Sequence, residues 1–97
     1  SVPRVVDPAR QRAKRDAADC LAFAYNDVSV MADKAGELVG IVREQVGGST
    51  MGDRMVRIST DALSLLNSVC ESLRAARAHT QEIDVTVEAP DDSSSGG

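Results

Sequence analysis

Glycine placement constrains this chain more than any other feature. Three of its 7 glycines, Gly47, Gly48 and Gly52, fall inside the short stretch EQVGGSTMGDRM. Before that stretch, Leu21, Ala24, Val28, Met31, Ala35, Leu38 and Val42 alternate steps of three and four; after it, Met55, Ile58, Ala62, Leu65, Val69, Ser72 and Ala76 do the same. Such spacing puts each set on one stripe of a helix, and a repeat of seven is the pattern of a helix–helix seam. A glycine in the left-handed conformation commonly ends a helix, which assigns that role to Gly47. Thr50 then reads as the cap of the next helix, with Asp53 three residues on completing an imperfect capping box. At the front, Asp7 supplies a side chain for orphan N–H groups and Pro8 suits the first helical position.

The expected fold is therefore all-α: a flexible lead over 1–6, a helical hairpin over 7–82 and an extended or disordered acidic tail over 83–97. Within the hairpin the spacing predicts a helix over 7–46, a turn at Gly47, Gly48 and Thr50, and a helix over 51–82. A turn this short forces the two helices to lie antiparallel. The tail alternates: Ile83, Val85 and Val87 on one face, Asp84, Thr86 and Glu88 on the other, as in a strand. With no second strand in this chain to pair with it, that segment reads as mobile until it adds to a partner's sheet edge or lies along the bundle.

Length and composition agree with a single small helical domain. The chain has 97 residues, 42% hydrophobic but only 2% aromatic, so its interior must come from aliphatic side chains. The net charge of −4 argues against nucleic acid as the main partner. The charge is uneven, with Arg10, Arg12, Lys14 and Arg15 near the start and Glu82, Asp84, Glu88, Asp91 and Asp92 near the end. These read as solvated ends, or as surfaces that dock head to tail or on a partner. Residues 1–20 lack the apolar segment of a signal peptide, and the most apolar window, LAFAYNDVSVMA, is too short for a membrane span.

The apolar stripes are wider than a lone hairpin needs. Tyr25, Val39 and Val46 extend the first seam on one side; Cys20, Phe23, Val30 and Ile41 extend it on the other. On the second helix, Leu66 and Leu73 flank the seam, and Val56, Leu63 and Cys70 form an extra row beside it. Phe23, Val30, Ile41, Val56, Leu63 and Cys70 are accordingly expected to meet a protein partner. A homodimer or heterodimer with a similar helical hairpin, forming a four-helix bundle, would cover them. Ile83, Val85 and Val87 are candidates for a second contact with a partner.

Chemistry is thin. Pairing the helices about the turn places Cys20 level with His79, a thiol beside an imidazole, but no third orienting group is evident, and no enzyme, metal or cofactor role is expected. The same pairing separates Cys20 from Cys70 by about 13 Å along the axis, too far for a disulfide within the hairpin. Asp16 with Asp19, and Asp27 with Asp33, lack an apolar pocket and read as a solvated face.

Over residues 8–82 the chain resembles the WXG or Esx-like family, small helical hairpins exported by type VII secretion. In that family a Trp-x-Gly motif sits in the turn and a Tyr-x-x-x-acidic signal follows the second helix. Val46-Gly47-Gly48 matches the glycine but not the tryptophan, and no tyrosine lies beyond Tyr25. The resemblance implies a non-enzymatic protein that acts in pairs and is secreted without a signal peptide, alone or carried by its partner. The other reading of the same surfaces is a cytoplasmic adaptor, chaperone or assembly subunit.

Overall fold

A computed structural model describes residues 2–90; the last part of the expected acidic tail, 91–97, lies outside them. The chain runs β1 (Arg4–Val6), α1 (Pro8–Val46), α2 (Thr50–Gln81) and β2 (Thr86–Glu88). The two helices pack antiparallel along their length in a rod of 83 × 19 × 14 Å.

Asp7 caps α1 by accepting from the Ala9 N–H at 3.2 Å, with Pro8 in the first turn. The turn differs in detail from expectation. Gly47 has φ −61° and Gly48 is the left-handed residue, at φ +94°. Ser49, not Thr50, caps α2: its Oγ accepts from the Gly52 N–H at 2.9 Å and donates to the Val46 carbonyl at 3.0 Å. Asp53 reaches back to accept from the Gly48 N–H at 3.1 Å. Each glycine here is required for its own reason. A Cβ at Gly47 would strike the Arg43 carbonyl, one at Gly52 would strike the Val46 carbonyl, and Gly48 needs the positive φ.

The intramolecular seam on α1 follows Lys14, Ala18, Leu21, Tyr25, Val28, Ala32, Ala35, Val39 and Val42. On α2 it follows Gly52, Val56, Ser59, Leu63, Leu66, Cys70, Leu73, Ala76 and Thr80. This corrects the sequence reading. Val56, Leu63 and Cys70, expected to wait for a partner, face α1, and Ser29 Oγ lies 3.9 Å from Cys70 Sγ across the seam. Met55, Ile58, Leu65 and Val69, expected in the seam, are exposed, as are Met31 and Leu38. The reason lies in the turn: burying Gly52 against the end of α1 fixes the rotation of α2 and selects the row four residues on. The resulting core is thin. Among the described residues only Ala32 and Val39 are buried apolar side chains.

The second correction concerns the ends of the chain. The lead is not a loose arm, and 83–89 does not lack a partner strand: β1 and β2 pair antiparallel, Val5 opposite Val87. The Asp7 N–H donates to the Val85 carbonyl at 2.9 Å and the Ala89 N–H to the Pro3 carbonyl at 2.8 Å. Arg4 fastens this clasp, donating to Thr86 Oγ1 at 2.8 Å, to the Thr86 carbonyl at 2.8 Å and to Asp84 at 3.2 Å. Lys14 donates to the carbonyls of Gln81 and Ile83, at 2.8 and 3.0 Å, and so caps the C-terminal end of α2 with a positive charge. The rod is thus closed at both ends, by the glycine turn and by the clasp.

Gly36 and Gly40 sit in mid-α1, where a Cβ added to either would meet nothing within 4 Å. Glycine in a helix interior costs about 1 kcal/mol against alanine. Gly36→Ala and Gly40→Ala should each raise stability by about that amount, read as a higher midpoint in urea denaturation. A lowered midpoint would show that these positions need a close backbone approach.

Candidate interaction surface

Antiparallel right-handed helices have a simple property. The residue just before each seam position turns to one flank of the pair on both helices, and the residue just after turns to the other. The two flanks of this hairpin differ sharply. Positions after the seam include Arg15, Asp19, Asn26, Asp33 and Arg43 on α1, and Asp53, Arg57, Asn67, Glu71 and Arg74 on α2. That flank carries no large apolar side chain; its other α1 positions, Ala22, Ser29, Gly36 and Gly40, are small and half-buried. Arg74 also reaches across to Tyr25, 2.7 Å from its hydroxyl, with the guanidinium 5.5 Å from the ring centroid. The Tyr25 hydrogen bond, with the charge of Glu71 in support, pushes the Arg74 pKa up.

Positions before the seam make an apolar flank. On α1 they are Cys20, Ala24, Asp27, Met31, Lys34, Leu38 and Ile41; on α2 they are Met51, Met55, Ile58, Ala62, Leu65 and Val69. Met31, Leu38 and Ile41 are 54–55% exposed, and Ile58 and Leu65 are 63% and 69% exposed. Phe23 and Val30 lie one step further round α1, at the outer edge of this flank, 70% and 52% exposed. Of the six helical residues expected to meet a partner, Phe23, Val30 and Ile41 are therefore open. Val56, Leu63 and Cys70 are taken up inside the hairpin.

The other candidates fall elsewhere. Val85 and Val87 are half-buried in the clasp, Val85 beside Gln11, Lys14, Arg15 and Ala18, while Ile83 is 50% exposed. Cys20 and Cys70 are free thiols, and Cys20 is exposed. His79 is open to solvent with its Nδ1 3.5 Å from Glu82. Among the described residues, no group of three or more His, Cys, Asp or Glu is placed to hold a metal ion. No helix there is long and apolar enough to cross a membrane.

Sequence reading missed the clasp, which joins the basic start to the acidic end. The signal was the opposition of Arg4-Val5-Val6 and Asp84–Glu88, two short β-branched runs of opposite charge. Asp84 accepts from the Thr86 hydroxyl at 2.6 Å and the Thr86 N–H at 2.9 Å. Those bonds, the hydroxyl first, and the nearby Arg4 hold its carboxyl below the usual carboxylate range. A lowered native pKa adds stability above the unfolded value, and that contribution is lost as pH falls through the native one. Acidification below the ordinary carboxylate range should thus open the clasp first. Amide exchange should rise in β1 and β2 while α1 and α2 stay protected; simultaneous loss in both would contradict it.

Comparison with known proteins finds no matching protein family, no matching curated protein and no matching solved structure.

Proposed function

We propose that this chain is a non-enzymatic interaction protein, a helical hairpin that acts by laying its apolar flank on another helical hairpin, its own copy or a related chain. One observation carries the reading: the apolar side chains are sorted to a single flank, while the core between the two helices buries little. A surface this apolar marks a binding site in soluble proteins. Fully covering one exposed large apolar side chain is worth roughly 1.5–3 kcal/mol, and this flank carries eight (Met31, Leu38, Ile41, Met51, Met55, Ile58, Leu65 and Val69), each 44–69% exposed, so covering them offsets the cost of association. The Esx-like resemblance extends the proposal to a secreted or secretion-associated protein. The missing tryptophan and export tyrosine favour a second reading, an adaptor, chaperone or assembly subunit that stays in the cytoplasm and uses the same flank.

The deciding measurement is the mass in solution, alone and mixed with the product of the neighbouring gene. Pairing should appear in one of the two and vanish when Ile58 and Leu65 are both replaced by Asp. A well-folded monomer in both mixtures that binds no apolar dye would remove the proposal. Presence in the culture medium of cells with an intact secretion apparatus separates the two readings.

A further inference from the structure

We infer that the occupant of the apolar flank is a second copy of this chain, stacked with the two-fold axis perpendicular to the helices, so that α1 lies on α1 and α2 on α2. This rests on the pairing proposed above and adds the partner and the register. Two face-to-face hairpins have two symmetric choices, and both keep all neighbouring helices antiparallel. With the axis along the rod, α1 lies on the partner's α2. With the axis across it, each helix lies on its own counterpart.

The charges inside the flank choose between them. Asp27 and Lys34 are the only charged residues among the flank positions from Cys20 to Ile41, and the α2 flank from Met51 to Val69 carries none. Seven residues apart on one helix, they are separated by about 10 Å along the axis, too far to pair within the chain. Neither makes an ion pair among the described residues.

The bonds that cross the hairpin set the levels of the two helices: Ser29 stands beside Cys70, and Tyr25 beside Arg74. With the axis along the rod, Lys34 would therefore lie over Leu65 and Ala62, and Asp27 over Val69 and Ser72, each a charge on an apolar surface without a counter-charge. With the axis across the rod near Met31, Asp27 approaches the partner's Lys34, and the symmetry makes the contact twice. The same axis crosses α2 near Ser68, the residue level with Met31, which brings Leu65 within one turn of the partner's Val69. The axis centres the α1 flank, from Cys20 to Ile41, on its own counterpart and covers the α2 flank from Ile58 onward. The shared surface is about 35 Å long and two helices wide, roughly 700 Å² per chain, close to the about 800 Å² of a standard stable interface.

Reversing the charges tests this on the intact protein. Asp27→Lys and Lys34→Asp alone should each weaken self-association by about tenfold or more, and the double reversal should restore it to within about threefold. In a Cys20→Ser, Cys70→Ala background, Met31→Cys should form a disulfide-linked dimer on mild oxidation, because the axis brings residue 31 of each chain together. Helical circular dichroism checks that every variant stays folded. A dimer in which the double reversal gives no recovery, or in which Met31→Cys does not cross-link, overturns the axis and leaves the pairing intact. A folded monomer at the highest soluble concentration overturns the second copy and leaves a different hairpin as occupant.

Discussion

Leu63→Asp will unfold the hairpin, whereas Leu65→Asp, two residues away, will leave a folded helical chain that no longer associates. Leu63 stands in the seam between Leu66 and Ser59, facing α1, where a carboxylate would be half-buried without a partner. An uncompensated charge at such a place costs about 3 kcal/mol or more. That is a large share of what so thin a core supplies, since domains of this size have marginal stability. Leu65 is 69% exposed on the apolar flank, so an aspartate there meets water in the single chain and apolar surface only in a complex. Helical circular dichroism and sedimentation separate the outcomes: loss of helix for the first, loss of mass with helix retained for the second. The reverse pattern would place the Leu65 row in the seam and the Leu63 row outside it.

That contrast also shows how far the sequence could be read. The helix boundaries were legible because they are local. Asp7-Pro8 starts α1, and glycines that no other residue can replace stop it at Val46. The rotation of α2 was not legible from periodicity, because two rows, each stepping by three and four, run side by side about 100° apart. The row of Met55, Ile58 and Leu65 is the more apolar, yet it lies outside. The seam row contains Gly52, Ser59 and Thr80, which look polar on paper. Ser59 is half-buried, and Thr80 is buried with its hydroxyl donating to the Ala76 carbonyl at 2.8 Å. The third glycine was the available sign, since a residue that must be glycine next to a tight turn marks where the two backbones approach.

The clasp was hidden for a different reason. A strand's partner is set by tertiary pairing, and Arg4 and Thr86, which bond across the clasp, stand 82 residues apart in sequence. The alternation around β2 was legible, but the three residues of β1 carry no period of their own. The clasp changes what the flank can do: with both ends of the rod fastened, the helices cannot splay apart at the open end, and the apolar flank is held flat for a partner to meet as one surface.

Deleting residues 83–97 will therefore destabilise the hairpin, although this segment looks like a dispensable tail. The deletion removes β2, frees the Asp7 N–H and the Pro3 carbonyl, and leaves Arg4 without Asp84 and Thr86. Lys14 also loses the Ile83 carbonyl. Each solvent-accessible hydrogen bond is worth about 0.5–1 kcal/mol, and part of the loss is offset by the regained freedom of the released segments. A net loss of about 1–2 kcal/mol remains, which lowers Tm by roughly 5–10 °C in a domain of this size. The sharper test is a cycle. If the two strands act only through each other, deleting 1–6 should cost about the same as deleting 83–97. Deleting both should cost no more than either alone, because whichever strand goes first takes the pairing with it. Additive losses would mean that each end stabilises the rod separately, and no loss from either deletion would mean that the ends do not hold it together. The cap of α2 supplies an internal control: Lys14→Ala should still destabilise the 83–97 deletion, since the Gln81 carbonyl it holds is outside the deleted segment.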